Sequence, residues 1–491
     1  MTELYTPRPF QVADLEELSE HNYTAHLAME PGAGKTPLAL FAARDGGASQ
    51  TLGIVPKNTI PNAWAKTSPR VLGIEARLIG NGRKAERVAY EDFRRGHPGF
   101  YVVTPGTFVR ADLEDWRPDM LIVDEVHQLN KPGGKSQRQL SGFGAKDKPL
   151  SKQVGASLSL SGTPVRSDFT RAWSICRLHW PDLKYKGQVA HDNHYGWLND
   201  RMTKETLYLG YDHNGARKTA TKWLAEKEPG LLFSQMPLVL QHFRRRMCCW
   251  FHPNGFLEQE KPNVMERHVE LLPAQKRIIR ELEDQSLAWI DGNPFQVDLP
   301  MHAKMRIRQV VLGVPTVVET GELTEEGFPK TRFEFPDGTP SPVTDEVLHI
   351  LEQLGEEPVV IFTTSQRFAR YLTNRIVAAG ISAFEYSGQT TETRDADLQR
   401  FGHSIRVLVG VLSAVGTGTD GLQEVCNNEI WVDTPVDDVD AQQGEGRLDR
   451  LGATKQVQRF VIRDDLGYAE GLFSEKMMKR LEIAKSTTRR V

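Results

Sequence analysis

The chain has 491 residues, 39% hydrophobic and 25% charged, with a formal net charge of −3. That length exceeds what one hydrophobic core supports, so two or more domains are expected, with the composition of a soluble globular protein. The near-neutral charge excludes bulk basic attraction as a route to nucleic acid: such binding has to come from a local groove of backbone amides and a few basic side chains.

Short apolar, β-rich runs recur along the chain. The first series is Thr24–Met29, Thr51–Val55, Phe100–Thr104, Met120–Asp124 and Ser157–Ser161. The second is Val359–Thr363, Ile381–Tyr386, Val407–Leu412, Glu429–Asp433 and Gln458–Ile462. Helix-like segments between most of them predict repeated βα units and parallel sheets, with working residues beyond the carboxyl ends of the strands. The two series are separated by a stretch from about 165 to 357 that is richer in Lys, Arg, Trp, His and helix-period patterns. Within it, Thr320–Pro342 reads as a loop or hinge, and Trp173, Trp180, Trp197 and Trp223 read as core aromatics. A last helix is expected near Glu470–Lys485.

No apolar run reaches the roughly 18 residues of a membrane span, and the first residues do not form a secretory signal. Four scattered cysteines, Cys176, Cys248, Cys249 and Cys426, suit a reducing compartment. An intracellular location, cytoplasmic or nucleoid-associated, is the expectation. The pairs His191/His194 and Cys249/His252 have zinc-ligand spacing, but a structural role for them is the simpler reading.

Four motifs carry chemistry. Met29-Glu30-Pro31-Gly32-Ala33-Gly34-Lys35-Thr36 joins an apolar run to a helix opening, as a phosphate-wrapping loop does. In such a loop Gly32 and Gly34 admit the phosphates, Lys35 neutralises β/γ charge and the Thr36 hydroxyl ligates Mg²⁺. About ninety residues on, Asp124-Glu125-Val126-His127 ends a buried run; Asp124 can hold Mg²⁺ and Glu125 can orient and deprotonate water. Ser161-Gly162-Thr163-Pro164 offers small hydroxyls at a strand end that can bond both the acidic pair and a neighbouring lobe. Finally, Gln443 to Arg450 places Arg447 and Arg450 at i, i+3, on one face if the segment is helical, a spacing that suits γ-phosphate charge and equally a salt-bridged surface helix.

Together these residues resemble the superfamily-two helicases, specifically the Swi/Snf-type DNA translocases, over nearly the whole chain. Arg8-Pro9-Phe10-Gln11 looks like the family's R-P-Y-Q element, whose Gln reads adenine. Glu30 to Thr36 resembles D-E-M-G-L-G-K-T. Ile54-Val55-Pro56-Lys57 followed by Trp64 resembles its DNA-contacting segment, and Val103-Thr104 its next strand end. Asp124 to Pro132 is close to D-E-A-H-x-x-K-N, and Leu160 to Asp168 to L-T-G-T-P-I-Q-N. Phe243-Arg244-Arg245-Arg246 and Arg306-Ile307-Arg308-Gln309 look like R-R-x-K and L-R-Q. In the second series Val360 to Thr363, Ser413 to Leu422 and Gln443 to Gly452 resemble the last three motifs. Met29 and Pro31 depart from the phosphate loop, and Asp420 stands where the family has Leu or Asn.

The resemblance implies two RecA-like parallel-sheet lobes with helical insertions between the third and fourth motifs. The lobes would span residues 1–250, with a protrusion at about 171–250, and 251–491, with an insertion at about 251–340. It implies ATP and Mg²⁺ as cofactors, ATP held by Arg8, Gln11, Gly32, Ala33, Gly34, Lys35, Thr36, Gly418 and Gln443, and the metal by Thr36 and Asp124. Lys35, Asp124, Glu125, Arg447 and Arg450 would be catalytic. Lys57, Thr104, Thr363 and Ser413 would contact DNA through phosphates, and His127, Ser161 and Thr163 would couple the lobes. The expected activity is DNA-dependent ATP hydrolysis driving movement on duplex DNA. An RNA- or restriction-type motor and a catalytically idle ATP-gated clamp are the alternatives.

Overall fold

The computed structural model describes residues 5–468 except 144–146, 163–164, 166–167, 186–187, 190–193, 212–216, 229, 235, 243–259, 286, 291–292, 297–299, 324–328, 391–392, 416–418, 420, 436–437 and 451. These residues group into two compact units, one within Met1–Glu258 and the other within Gln259–Met477.

In the first unit the apolar runs become β1 (Ala25–Met29), β2 (Gln50–Ile54), β3 (Ala76–Leu78), β4 (Gly99–Val103), β5 (Met120–Asp124) and β6 (Ala156–Leu160). Two short strands β7 (Lys184–Tyr185) and β8 (Gln188–Val189), a hairpin of β9 (Met202–Tyr211) and β10 (Arg217–Glu226), and β11 (Val239–His242) follow. The main sheet is parallel, in the order β11-β1-β6-β5-β2-β4-β3. Every residue of β1, β2 and β5 is buried, because alternate side chains feed a core on each face of the sheet. Leu52, Ile54, Leu121 and Val123 enter one core, and Leu27, Met29, Met120 and Ile122 the other. Three helices of this unit position the site: α1 (Pro9–Glu20), α2 (Lys35–Asp45) and α3 (Ala65–Val71).

The second unit contains β12 (Asn263–Val269), hairpins β13 (Leu287–Ile290) with β14 (Asn293–Gln296) and β15 (Thr316–Leu323) with β16 (Pro329–Glu334), then β17 (Val359–Thr363), β18 (Ala383–Tyr386), β19 (Val407–Val411), β20 (Asn428–Trp431) and β21 (Gln458–Asp464). Its main sheet is again parallel, in the order β12-β21-β20-β17-β19-β18. Val359, Ile361, Val407 and Val409 face one core, Val360, Phe362 and Leu408 the other. Two parallel sheets flanked by helices are the two RecA-like lobes that the sequence predicts.

The middle of the chain is less helical than its pattern suggests. Helices Arg171–His179 and His194–Arg201 are followed by the β9–β10 hairpin. Helices Pro273–Gln285 and Pro300–Leu312 share an apolar cluster (Ile278, Leu282, Phe295, Ile307, Val310, Phe333) with residues from both hairpins of the second unit. The segment from Thr320, read as a loop or hinge, instead lies in the β15–β16 hairpin and the turn that caps helix Pro342–Gln353 through Ser341. Trp173 and Trp197 are core, as expected. No helix among the described residues is long and apolar enough to cross a membrane.

Candidate functional site

The site begins where β1 ends. Glu30 N–H donates to the His242 carbonyl at the tip of β11 (3.0 Å) and Ala33 N–H to the Glu30 carbonyl (3.2 Å), so the loop curls back on itself before α2 starts. Gly32 (φ +88°) and Gly34 (φ +80°) are left-handed, a region closed to most side chains. Gly34 is the N-cap of α2, an eleven-residue helix without a side-chain cap, which leaves first-turn N–H groups for a phosphate. The Lys35 ammonium donates to the carbonyls of Met29 (2.9 Å) and Glu30 (3.3 Å), folding it over the loop. Ala33 is buried, while Gly32 and Thr36 are half-buried on the loop.

Gln11, on α1, clamps this loop. Its Nε2 donates to the Gly34 carbonyl (3.0 Å) and its Oε1 accepts the Arg8 N–H (3.0 Å). A Cβ on Gly34 would lie 2.7 Å from Gln11 Nε2. The amide keeps one donor and one acceptor beyond these bonds, which leaves capacity for a base edge. α1 is fixed in turn by Asp14, whose carboxylate lies 2.9 Å from His242 Nε2. No local pattern announces that pair, because its members are 228 residues apart.

The acidic pair stands at the tip of β5 in the same unit. Asp124 is buried, and burial pushes its carboxyl above the usual range. The Trp64 indole N–H (3.0 Å), the Lys35 ammonium and the Glu125 N–H (3.0 Å) work against that shift. Lys35 is thus close enough to favour ionised Asp124, which puts the phosphate loop and the acidic pair in one site. Glu125 holds φ +47°, unusual for a residue with a side chain, and such strain is concentrated at working sites. His127 Nδ1 lies 3.1 Å from Glu125 Oε2 and 3.0 Å from Ser161 Oγ. Gly162 packs on the phosphate loop: a Cβ there would lie 3.1 Å from Pro31. Ser161 thus meets the acidic motif through His127, while Thr163 lies outside the described residues.

A hydroxyl and a carboxylate are hard oxygen donors of the kind Mg²⁺ takes together with phosphate oxygens, so Thr36 and Asp124 fit that ion. Among the described residues no cluster of three or more His, Cys, Asp or Glu could hold a metal; His191, Cys249 and His252 lie outside them, as do Arg244–Arg246, Gly418, Asp420 and the expected last helix.

In the second unit helix Asp438–Leu448 carries Gln443, buried, and Arg447, whose guanidinium donates to the Thr419 carbonyl. The helix stops at Leu448, so Arg450 lies just beyond its end and does not share a helical face with Arg447. The helix is tied to the sheet by a buried ion triad. Arg459 on β21 bonds Glu429 on β20 and reaches Glu445 at 3.3 Å. Gly444 lets the helix approach: a Cβ there would meet Leu412 at 2.6 Å and Trp431 at 2.8 Å.

The residues expected to touch DNA fall into two groups. Lys57, in the turn after β2, and Ser413, in the short helix Leu412–Val415 after β19, are exposed. Thr104 is half-buried and caps the turn Pro105–Phe108, accepting the Thr107 N–H (3.3 Å). Thr363 is fully buried with its hydroxyl accepting the Ser365 N–H (3.1 Å), a placement that turns it to the helix cap and away from any phosphate. Trp64, grouped by sequence with the DNA-contacting segment, is fully buried and bonded to Asp124.

Fold and site define a P-loop protein with two RecA-like lobes and an acidic pair facing the phosphate loop. Residues 4–166 match the family described as the type III restriction enzyme, res subunit. That match spans about a third of the chain and lies in the first unit, over the glycine loop and the acidic pair. No curated protein matches the chain significantly. Among solved structures, the SWI2/SNF2 ATPase core of Sulfolobus solfataricus in complex with dsDNA is 15% identical, with a TM-score of 0.39, covering 99% of this chain and 98% of that one. The helicase domain of Hef from Pyrococcus furiosus is 13% identical, with a TM-score of 0.49, covering 96% of this chain and 98% of that one.

Proposed function

We propose that this chain is a nucleic-acid-dependent ATPase that hydrolyses ATP to translocate on or remodel DNA, duplex DNA by preference. The observation that carries the reading is the convergence of Lys35 with Asp124 and Glu125 beside a left-handed glycine loop at a helix N-terminus. Such a site can cradle β/γ-phosphates, hold Mg²⁺ and place a carboxylate against water.

In this reading Gly32 to Thr36 bind the triphosphate, with Arg8 and Gln11 on the base side. Thr36 and Asp124 would hold Mg²⁺, which supplies charge neutralisation on the phosphates when bound. Glu125, steadied by His127, takes the proton of the attacking water. The roles left to Arg447 and Arg450 are neutralising the negative charge that develops on the γ-phosphoryl group, and to Gln443 and Gly418 further contacts to the nucleotide. His127, Ser161 and Thr163 pass the state of the site onward. Nucleic acid is contacted through its phosphates, for which exposed Lys57 and Ser413 are the best placed.

The family match to a restriction-enzyme subunit favours one alternative, a restriction-type motor, which would use the same residues. Phosphate release measured without nucleic acid and with single-stranded DNA, duplex DNA or RNA separates the readings. Strongest stimulation by duplex DNA is expected. Stimulation by RNA alone would replace the DNA reading, and binding of ATP and DNA without turnover would make the chain an idle clamp.

A further inference from the structure

Trp64 ends a π-helical turn, Ile60–Trp64, between the strand-end turn at Pro56–Thr59 and α3. π turns are rare and collect at functional sites, because the wider turn re-aims a side chain. Here it carries the chain from exposed Lys57 to a ring that is 0% exposed and tilted against Phe100 at 5.8 Å between centroids. The ring's single donor reaches Asp124 Oδ2 at 3.0 Å, while Oδ1 accepts the Glu125 N–H at 3.0 Å. Each oxygen of the buried carboxylate is thus held by one N–H, from two different elements, and each keeps a further lone pair. A ring that only filled the core would need no N–H.

We propose that Trp64 is a positioning residue for the divalent cation: its indole N–H fixes the Asp124 carboxylate in the orientation that presents its remaining lone pairs to the metal. This rests on the reading of Asp124 as the metal-holding carboxylate. Groups that orient a metal ligand typically contribute about 10–100-fold to metal affinity.

The test is Mn²⁺ binding to the full ATP-loaded chain, followed by electron paramagnetic resonance, in the wild type, Asp124→Asn and Trp64→Phe. Phenylalanine keeps a ring against Phe100 and removes the donor. Trp64→Phe is expected to weaken Mn²⁺ about 10–100-fold, with metal-free ATP affinity unchanged. Should it fail to fold, replacement of Trp64 by β-(3-benzothienyl)alanine, which exchanges N–H for sulfur at nearly constant shape, gives the same readout. Unchanged Mn²⁺ affinity in a folded variant, even with a lowered melting temperature, overturns the proposal by showing a purely structural role. A wild type that binds no Mn²⁺ with ATP overturns the nucleotide-site reading itself, and the positioning role with it.

Discussion

Lowering the pH from 7.5 to 5 should weaken the first unit through two buried histidines. His26 on β1 and His179 at the end of helix Arg171–His179 are both buried and share Ser159: His26 Nδ1 lies 2.8 Å and His179 Nε2 2.6 Å from its Oγ. His179 Nδ1 also lies 2.7 Å from Ser157 Oγ. Burial depresses His26 to about 3, and depresses His179 well below its ordinary value, with neighbouring His26 adding to the effect. The folded state therefore keeps both rings neutral, while the unfolded chain takes up protons below about 6.5. Stability is full above that value and falls as pH drops from 6.5 towards 3. Each pH unit in that window costs about 1.4 kcal/mol for His26, so pH 5 costs about 2 kcal/mol through that ring, and His179 adds to it in the same direction. In His26→Asn the amide can still reach Ser159 but does not titrate. Hydrogen exchange of peptides covering β1 and β6, read as local opening free energy, isolates this unit from the other. The advantage of wild type over His26→Asn should shrink by about 2 kcal/mol between pH 7.5 and 5. A difference that stays constant across the window would refute the claim that His26 is held neutral by burial.

Gly34→Ala should weaken nucleotide binding by about 5–150-fold without unfolding the unit. It places a Cβ 2.7 Å from Gln11 Nε2 at φ +80°, a cost of about 1–3 kcal/mol concentrated in the loop; calorimetric titration with ATP is the check, and wild-type affinity would contradict the clamp. Arg459→Met leaves Glu429, whose carboxyl burial already pushes upward, without its cation. It should cost the second unit about 3–5 kcal/mol, seen as a lower melting temperature, and a change near zero would show that the triad does not hold helix Asp438–Leu448.

The strands that build the two central sheets were legible because a strand buried on both faces is a continuous apolar run. β5 and β17 match their predicted limits at Met120–Asp124 and Val359–Thr363. β12 was not legible: most of Asn263–Val269 is exposed at a sheet edge, so its sequence alternates and carries charge. The β9–β10 hairpin was hidden for a related reason, its many exposed Lys, Glu and Thr residues giving no apolar run. At the site, the glycine loop and the acidic pair announced themselves because phosphate and metal chemistry restricts the residue types in a short segment. The Arg447/Arg450 face did not survive, since nothing in the spacing signals that the helix ends at Leu448. Trp64 was seen as part of a DNA-contacting segment, while its bond to Asp124 was not legible: it spans 60 residues and depends on the pairing of β2 with β5.

The central claim is that Glu125 activates water for hydrolysis of an ATP held by the Gly32–Thr36 loop. Single-turnover hydrolysis of ATP by Glu125→Gln, with ATP binding measured in parallel, tests it most directly. The account predicts wild-type binding with hydrolysis slowed at least about 100-fold, the contribution expected of a positioned general base. Hydrolysis at the wild-type rate by a variant that binds ATP normally would contradict it.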